Sequence, residues 1–291
     1  MRRFLKASTP YLIFLISILF WPNEIFFSIT GRNSGTRDGE ALYDIRPHTN
    51  DNCGIILGSS TAQRGINPNK ISVGSTTFYN LASSAQTVEG SLQILLNLMK
   101  IKPLEFIILD IYSNFYCLSS REFAYDYLGR NPLHNGIQDA SFFFAQKDNY
   151  LSLLFLRSLI HGNNNNLPDR ENIRGHKANI TNELEEMPDC KTFFTEPTSP
   201  NTQSLITIYN ICRKTKTKLF ITIPPDLCDS LHVDLHNHIK SIAPSISILD
   251  GNLWEKRSPS YFFDDHHLNR DGALAYSSWL NSQLNNALQQ P

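Results

Sequence analysis

The chain has 291 residues, of which 41% are hydrophobic and 18% are charged, and its formal net charge is -1. This composition is typical of a folded protein with one large domain or two small ones, and it excludes a disordered chain. A nearly neutral chain without a basic field gives no indication of nucleic-acid binding.

The N-terminus has the pattern of a membrane anchor. Arg2, Arg3 and Lys6 precede an uncharged, largely apolar stretch that extends to Glu24. Its length is near the lower limit for crossing a bilayer, roughly 17–25 residues, and its basic flank predicts a cytoplasmic N-terminus. The rival interpretations are a cleaved signal peptide, which lacks an A-x-A-like site here, and a buried core helix, which the basic start disfavours. We predict an uncleaved signal-anchor helix over residues 1–30, with the rest of the chain outside the cytoplasm.

A polar segment and five cysteines follow the apolar run. Residues 31–52 are rich in Gly, Asn, Arg and Asp and are predicted to form a linker. Outside the cytoplasm, an odd number of cysteines permits one or two disulfides, and the spacing indicates neither a particular pairing nor a zinc site. The cysteines are Cys53, Cys117, Cys190, Cys212 and Cys228.

Short apolar runs alternate with helical patterns over residues 53–291. Because the runs lack polar alternation, they are predicted to be strands buried on both faces of a parallel sheet. The predicted strands are residues 54–58, 78–81, 106–109, 219–223 and 246–249. Helices are predicted from Val88 and from Arg270, the latter with Asn269 as N-cap. This alternation indicates an α/β domain, interrupted at about 116–200 by an insertion that covers the sheet and shapes a cleft.

A serine-rich turn follows the first predicted strand. The segment from Gly58 to Ala62 reads Gly-Ser-Ser-Thr-Ala, with Ser60 at its centre. In an open parallel sheet, ligands bind outside the carboxyl ends of the strands, and a serine on a strand-to-helix turn exposes its hydroxyl beside helix N–H groups. Serine-rich turns after strands are common, so this segment alone indicates a nucleophile only weakly.

A polar cluster precedes the last predicted helix. Asp264 and His267 are three residues apart, a spacing that brings a carboxylate under an imidazole in a turn. The carboxylate can then accept the Nδ1 proton, fix the tautomer and stabilise the imidazolium. Asp265 and His266 between them are interpreted as exposed residues at the start of the helix.

Metal binding is the alternative interpretation of the same cluster, because two histidines and two aspartates lie side by side. Further ligands would have to come from His232, His236 and His238, which fall on a predicted helix and need not converge on the loop. We therefore predict no metal and no other cofactor.

Three segments together resemble the sequence blocks of the SGNH (GDSL-like) hydrolases and acyltransferases. Residues 58–68 resemble the first block in its Gly-Ser-Ser form, and residues 80–84 resemble the second block, N-L-G-x-S. Residues 264–272 match the last block, D-x-x-H-L-N-x-x-G. The blocks occur in family order and span residues 54–287.

The resemblance implies a flavodoxin-like three-layer sandwich with a five-stranded parallel sheet. It implies Ser60 as nucleophile, His267 as its base and Asp264 as the acid that orients the base. A covalent acyl-serine intermediate would form on Ser60 and be resolved by water or by an acceptor alcohol.

The resemblance also implies an oxyanion hole. Its donors would be the backbone N–H of Ser60 and groups of the second block, Asn80 and Ala82, where Ala82 replaces the family's glycine. The third family block, G-x-N-D, is missing after the third strand, so Asn114 is the candidate for its side-chain donor although the spacing differs.

The predicted anchor and the Gly-Ser-Ser form point to the membrane-anchored branch, which modifies cell-envelope polymers. The implied partners are an acyl-ester donor, a glycan or lipid acceptor and a membrane acyl-donor protein. The alternative is an inactive SGNH-like envelope protein that binds a polymer or a partner. An α/β-hydrolase fold is disfavoured because Ala62 replaces the last glycine of G-x-S-x-G, and Asp250, its candidate acid, is interpreted as structural.

Overall fold

The computed structural model describes much of residues 52–289. The described residues are 52–100, 102–112, 116–120, 123–124, 142, 145–146, 197–228, 232–255 and 257–289. The predicted anchor, nearly all of the linker, most of the predicted insertion and Asn114 lie outside them, so the predicted domain boundaries stay predictions. Among the described residues, no helix combines the length and the apolar character needed to span a membrane.

A five-stranded parallel sheet forms the centre of the molecule. Its strands are β1 (Cys53–Leu57), β2 (Thr77–Asn80), β3 (Phe106–Asp110), β4 (Lys218–Ile223) and β5 (Ser247–Asp250). The spatial order is β2-β1-β3-β4-β5, which is the doubly wound order of flavodoxin-like folds. The prediction of an α/β domain with a parallel sheet is confirmed, and each predicted strand is found with its ends shifted by a residue at most.

Helices cover the two faces of the sheet. They are α1 (Ser60–Gly65), α2 (Val88–Leu98), α3 (Ser199–Thr215), α4 (His232–Ile242) and α5 (Arg270–Gln289). Successive strand residues point to opposite faces, so Ile55 packs into the core under α2, α3 and α4, whereas Ile56 packs into the core under α1 and α5. Both side chains are fully buried, as expected for strands covered on both sides.

The loop that precedes α5 is fixed at both ends. Phe262 and Leu268 form an isolated antiparallel bridge and are both buried in the core. Asn269 Oδ1 accepts the N–H of Gly272 at 2.9 Å, which confirms the predicted N-cap of α5. A Cβ at Gly272 would collide with the carbonyl oxygen of Tyr261, so glycine is required for this approach. The loop that carries Asp264 and His267 is therefore held at the carboxyl edge of the sheet.

Candidate active site

Ser60, His267 and Asp264 form a chain of hydrogen bonds. Ser60 Oγ lies 2.7 Å from His267 Nε2, and His267 Nδ1 lies 2.7 Å from Asp264 Oδ2. The serine hydroxyl can donate to Nε2 only when the imidazole proton sits on Nδ1, where Asp264 accepts it. The structure thus brings together the three residues that the sequence analysis selects as nucleophile, base and orienting acid.

Asp264 also shapes the turn that carries the imidazole. Its Oδ1 accepts the backbone N–H groups of His266 at 3.1 Å and of His267 at 2.7 Å, while Oδ2 bonds the His267 ring. Burial alone would raise the pKa of Asp264, but the hydrogen bond from His267 and the charges of both histidines outweigh burial and hold the pKa below its usual range. Asp264 is therefore a carboxylate at neutral pH, which is the state that its predicted role as orienting acid requires.

Ser60, the predicted nucleophile, stands at the start of a short helix. β1 ends at Leu57, Gly58 adopts a φ of 148°, and Ser59 caps α1 by accepting the N–H of Thr61 at 3.4 Å. Ser60 is the first residue of α1, so its own N–H has no acceptor within the helix. The turn leaves both the hydroxyl and the N–H of Ser60 at the carboxyl edge of the sheet.

The helices that flank Ser60 and the His267 loop, α1 and α5, are in contact with each other. Ser277 of α5 accepts the N–H of Asn67 at 2.8 Å and lies 3.2 Å from the carbonyl oxygen of Gly65 at the end of α1. Ser277 is fully buried. Because α1 begins at Ser60 and α5 follows the His267 loop, docking of the two helices joins residues that are far apart in sequence.

Asn80 and Ala82 are arranged differently from the expectation that they bind an oxyanion. The Asn80 amide donates to the carbonyl oxygens of Ala62 and Ile66 at 2.9 and 2.8 Å, and its Oδ1 accepts the N–H of Ala82 at 3.0 Å. These bonds tie the end of β2 to the end of α1 and occupy both groups. In this structure neither is a free oxyanion donor, Asn114 lies outside the described residues, and the Ser60 N–H remains as the candidate.

A buried carboxyl that was not predicted from the sequence lies beside the Ser60 turn. Asp110 ends β3, is 3% exposed, and accepts hydrogen bonds from Thr61 at 2.7 Å and Thr222 at 2.8 Å. Burial raises the pKa of Asp110 to about 7, although the two hydroxyls act in the opposite direction. The signal available in the sequence was an aspartate closing an otherwise apolar strand, at the edge where ligands bind.

An aromatic contact beside the base was also missed. The Tyr112 ring stacks on the His266 ring with 5.1 Å between centroids and 8° between planes. His266 Nδ1 also bonds Asp265, and the His266 side chain is only 24% exposed. This corrects the interpretation of His266 as an exposed residue at a helix start, because the His266 ring is packed between the rings of Tyr112 and His267.

A second buried carboxyl follows β4. Asp226 is 4% exposed, and its Oδ1 accepts the N–H of Cys228. Burial raises the pKa of Asp226 to about 6, with the backbone bond and the nearby His266 acting against burial. The N–H of Leu227 donates to the carbonyl oxygen of Asp265 at 3.0 Å, so this segment supports the loop that carries His267.

Asp264, His266 and His267 present possible metal ligands within 4.8 Å of one another. Both ring nitrogens of His267 are already hydrogen-bonded, so an ion bound there would have to displace Ser60 or Asp264. The histidines considered as additional ligands do not join the group within the described side chains, since His238 instead contacts Tyr116 at 3.2 Å. A metal ion would therefore compete with these hydrogen bonds for the His267 ring.

No family model matches the chain, and no curated protein does. Solved structures similar to it include an acylhydrolase from Bacteroides fragilis described as putative, with 9% identity, a TM-score of 0.43, and 84% of this chain and 95% of that one covered. A psychrotrophic esterase from Pseudoalteromonas sp. has 10% identity, a TM-score of 0.41, and 82% and 100% coverage. A lipase/acylhydrolase from Enterococcus faecalis has 8% identity, a TM-score of 0.40, and 81% and 96% coverage.

Proposed function

We propose that this chain is a serine-dependent acyl-transfer enzyme that hydrolyses an ester or moves its acyl group to an acceptor. The observation that carries the proposal is the hydrogen-bonded chain from Ser60 Oγ through His267 to Asp264, with both links at 2.7 Å. A serine hydroxyl is a poor nucleophile at its free pKa, and an imidazole within hydrogen-bond reach activates it.

In the proposed reaction, Ser60 Oγ attacks the ester carbonyl carbon while His267 Nε2 takes the hydroxyl proton. Collapse of the tetrahedral intermediate breaks the bond to the leaving alcohol, which receives that proton from His267. Water or an acceptor hydroxyl then attacks the acyl carbon and loses its proton to His267. The bond from that carbon to Ser60 Oγ breaks, and Ser60 Oγ takes the proton back from His267, which restores the starting state. Asp264 keeps the ring in the required tautomer and stabilises the imidazolium in both steps.

The oxyanion of each tetrahedral intermediate would be bound by the backbone N–H of Ser60. Because Asn80 and Ala82 are engaged elsewhere, a second donor must come from another group of the site. Loss of one oxyanion donor typically lowers the rate by about 10²–10³, so the source of the second donor decides much of the activity.

We further propose that the domain works outside the cytoplasm on a cell-envelope glycan or lipid, held at the membrane by its N-terminal segment. The basic start and apolar run of residues 1–30 support the anchor. Cys228 is in a disulfide, which supports an oxidising compartment. A membrane acyl-donor protein is the partner that such a location would bring within reach.

Labelling of the full-length chain with a fluorophosphonate tests the proposal without knowledge of the substrate. The wild-type chain should gain one adduct on Ser60, and Ser60→Ala and His267→Ala should lose it. Ser278→Ala, which removes an exposed hydroxyl on α5, is the matched control and should label like the wild type. A folded wild-type chain that takes up no label would instead favour the inactive, polymer-binding alternative.

A further inference from the structure

Asp110 is a buried acid whose described partners are hydroxyl groups. Thr61 Oγ1 donates to its Oδ2 at 2.7 Å and Thr222 Oγ1 donates to its Oδ1 at 2.8 Å. Among the residues that the structure describes, no basic side chain forms an ion pair with it. A carboxyl buried in this way destabilises the fold relative to an apolar side chain, so its presence calls for a role other than packing.

The hydrogen bonds of Asp110 continue to both neighbours of the nucleophile. Thr61 has one hydroxyl hydrogen, and because it points to Asp110, the Ser59 hydroxyl must donate to Thr61 Oγ1 across their 2.8 Å separation. Ser59 Oγ in turn accepts the N–H of Thr61 as the N-cap of α1. Ser60 therefore stands between two residues whose side chains are fixed by one buried carboxyl.

The backbone before Ser60 also rests directly on Asp110. A Cβ added at Gly58 would lie 2.7 Å from Asp110 Cβ and 2.9 Å from its carbonyl oxygen. The φ of Gly58, 148°, belongs to a region that residues with side chains seldom adopt. The turn from β1 to α1 is therefore built in contact with the end of β3.

We propose that Asp110 is a positioning residue that fixes, through Thr61 and Ser59, the turn that presents Ser60 to His267. This inference rests on the proposed function of the same site. The position of Ser60 matters because its Oγ lies 2.7 Å from His267 Nε2. Misplacement of a reacting group by about 1 Å can lower the rate by a factor on the order of 10². Asp110 touches no reacting atom and acts only through the turn.

The test removes the link between Asp110 and the turn in the full-length chain. Thr61→Val keeps the shape of the side chain and deletes its hydroxyl, whereas Thr61→Ser keeps the hydroxyl. Thr76→Val is the matched control, because Thr76 Oγ1 donates to Glu105 at the same 2.7 Å distance beside the opposite end of the sheet. The rate of fluorophosphonate labelling at saturation and the probe concentration for half-maximal rate are measured separately.

We expect Thr61→Val to lower the labelling rate at saturating probe roughly 10- to 100-fold. The probe concentration that gives the half-maximal rate should change by less than about twofold, because the substitution disturbs the Ser60 turn and not the site that binds the probe. Thr61→Ser should restore the rate, and Thr76→Val should label like the wild type. A wild-type rate in Thr61→Val, or an equal loss in Thr76→Val, would overturn the inference. If Thr61→Val does not fold, Asp110→Asn is judged by the same criteria. A wild-type chain that takes up no label overturns the proposed function, and the inference with it.

Discussion

Replacing Asp110 by asparagine should make the free energy of unfolding depend less on pH. Burial raises the pKa of Asp110 from 3.8 to about 7, and the hydrogen bonds from Thr61 and Thr222 only partly oppose it. The raised pKa means that protonated Asp110 favours the folded state. This contribution to the free energy of unfolding is fully present when the pH is below the pKa of the carboxyl in the unfolded chain, and it is lost as the pH rises through the pKa of the carboxyl in the folded protein. At about 1.4 kcal/mol per unit, the loss between about pH 5 and pH 8.5 amounts to about 3 kcal/mol.

Urea unfolding of the full-length wild type and of Asp110→Asn, at several pH values across that range, measures the effect. Asn has the size of Asp but does not titrate, so the gap in unfolding free energy between the two proteins should narrow or reverse as the pH rises. Asp226, whose pKa burial raises to about 6, and His238, whose pKa burial lowers, titrate in both proteins and cancel in the difference. The Asp110 charge is felt by buried Tyr276, whose pKa is raised well above 10.0 and above the tested range. Parallel stability curves for the two proteins would refute the reasoning.

Three further predictions concern the loop that carries Asp264 and His267 and the start of α5. Asp264→Asn should lower the labelling rate by roughly 10⁴-fold through loss of tautomer control, and a near-normal rate would contradict its role. Gly272→Ala should lower the free energy of unfolding by about 1–3 kcal/mol, as measured by urea unfolding, because the added Cβ would collide with the backbone of Tyr261. Gly65→Ala is the control and should lower the free energy of unfolding by less, because the nearest atom to its added Cβ is 3.4 Å away. Zinc should inhibit labelling, because it can bind the cluster of Asp264, His266 and His267. EDTA should reverse the inhibition by zinc, and His266→Ala should weaken that inhibition. Activation of labelling by zinc would contradict the prediction.

Much of the fold could be predicted because parallel strands under helices are buried on both faces. Runs such as Ile55 to Leu57 or Phe106 to Leu109 are apolar at every position, and this pattern is local in sequence. The pairing of Asp264 with His267 was predictable for the same reason, since a turn joins residues three apart. These features depend on neighbours along the chain, so the sequence displays them directly.

What could not be predicted depends on contacts between distant segments. The bond from Thr61 to Asp110 crosses from α1 to the end of β3, and the Tyr112 ring meets His266 from another loop. The sequence also could not show that the side-chain amide of Asn80 donates to the carbonyl oxygens of Ala62 and Ile66. An asparagine after a strand is compatible with either an oxyanion donor or a structural bridge, and only its neighbours decide between them.

The strand order explains why these contacts gather at one point. In a sheet ordered β2-β1-β3-β4-β5, the chain moves outward in one direction from β1 to β2 and in the other from β3 onward, so the crevice lies between the ends of β1 and β3. The Ser60 turn leaves β1 and Asp110 ends β3, so the bond from Thr61 to Asp110 bridges that crevice at its base. The His267 loop reaches the same edge, where His267 Nε2 lies 2.7 Å from Ser60 Oγ, and α5, which follows the loop, contacts the end of α1 through Ser277. Under the proposed function, an acyl ester entering there would meet Ser60 on a turn that is linked to Asp110 through Thr61 and to the opposite loop through His267. Such fixed placement of the reacting groups is the preorganisation that acyl transfer requires.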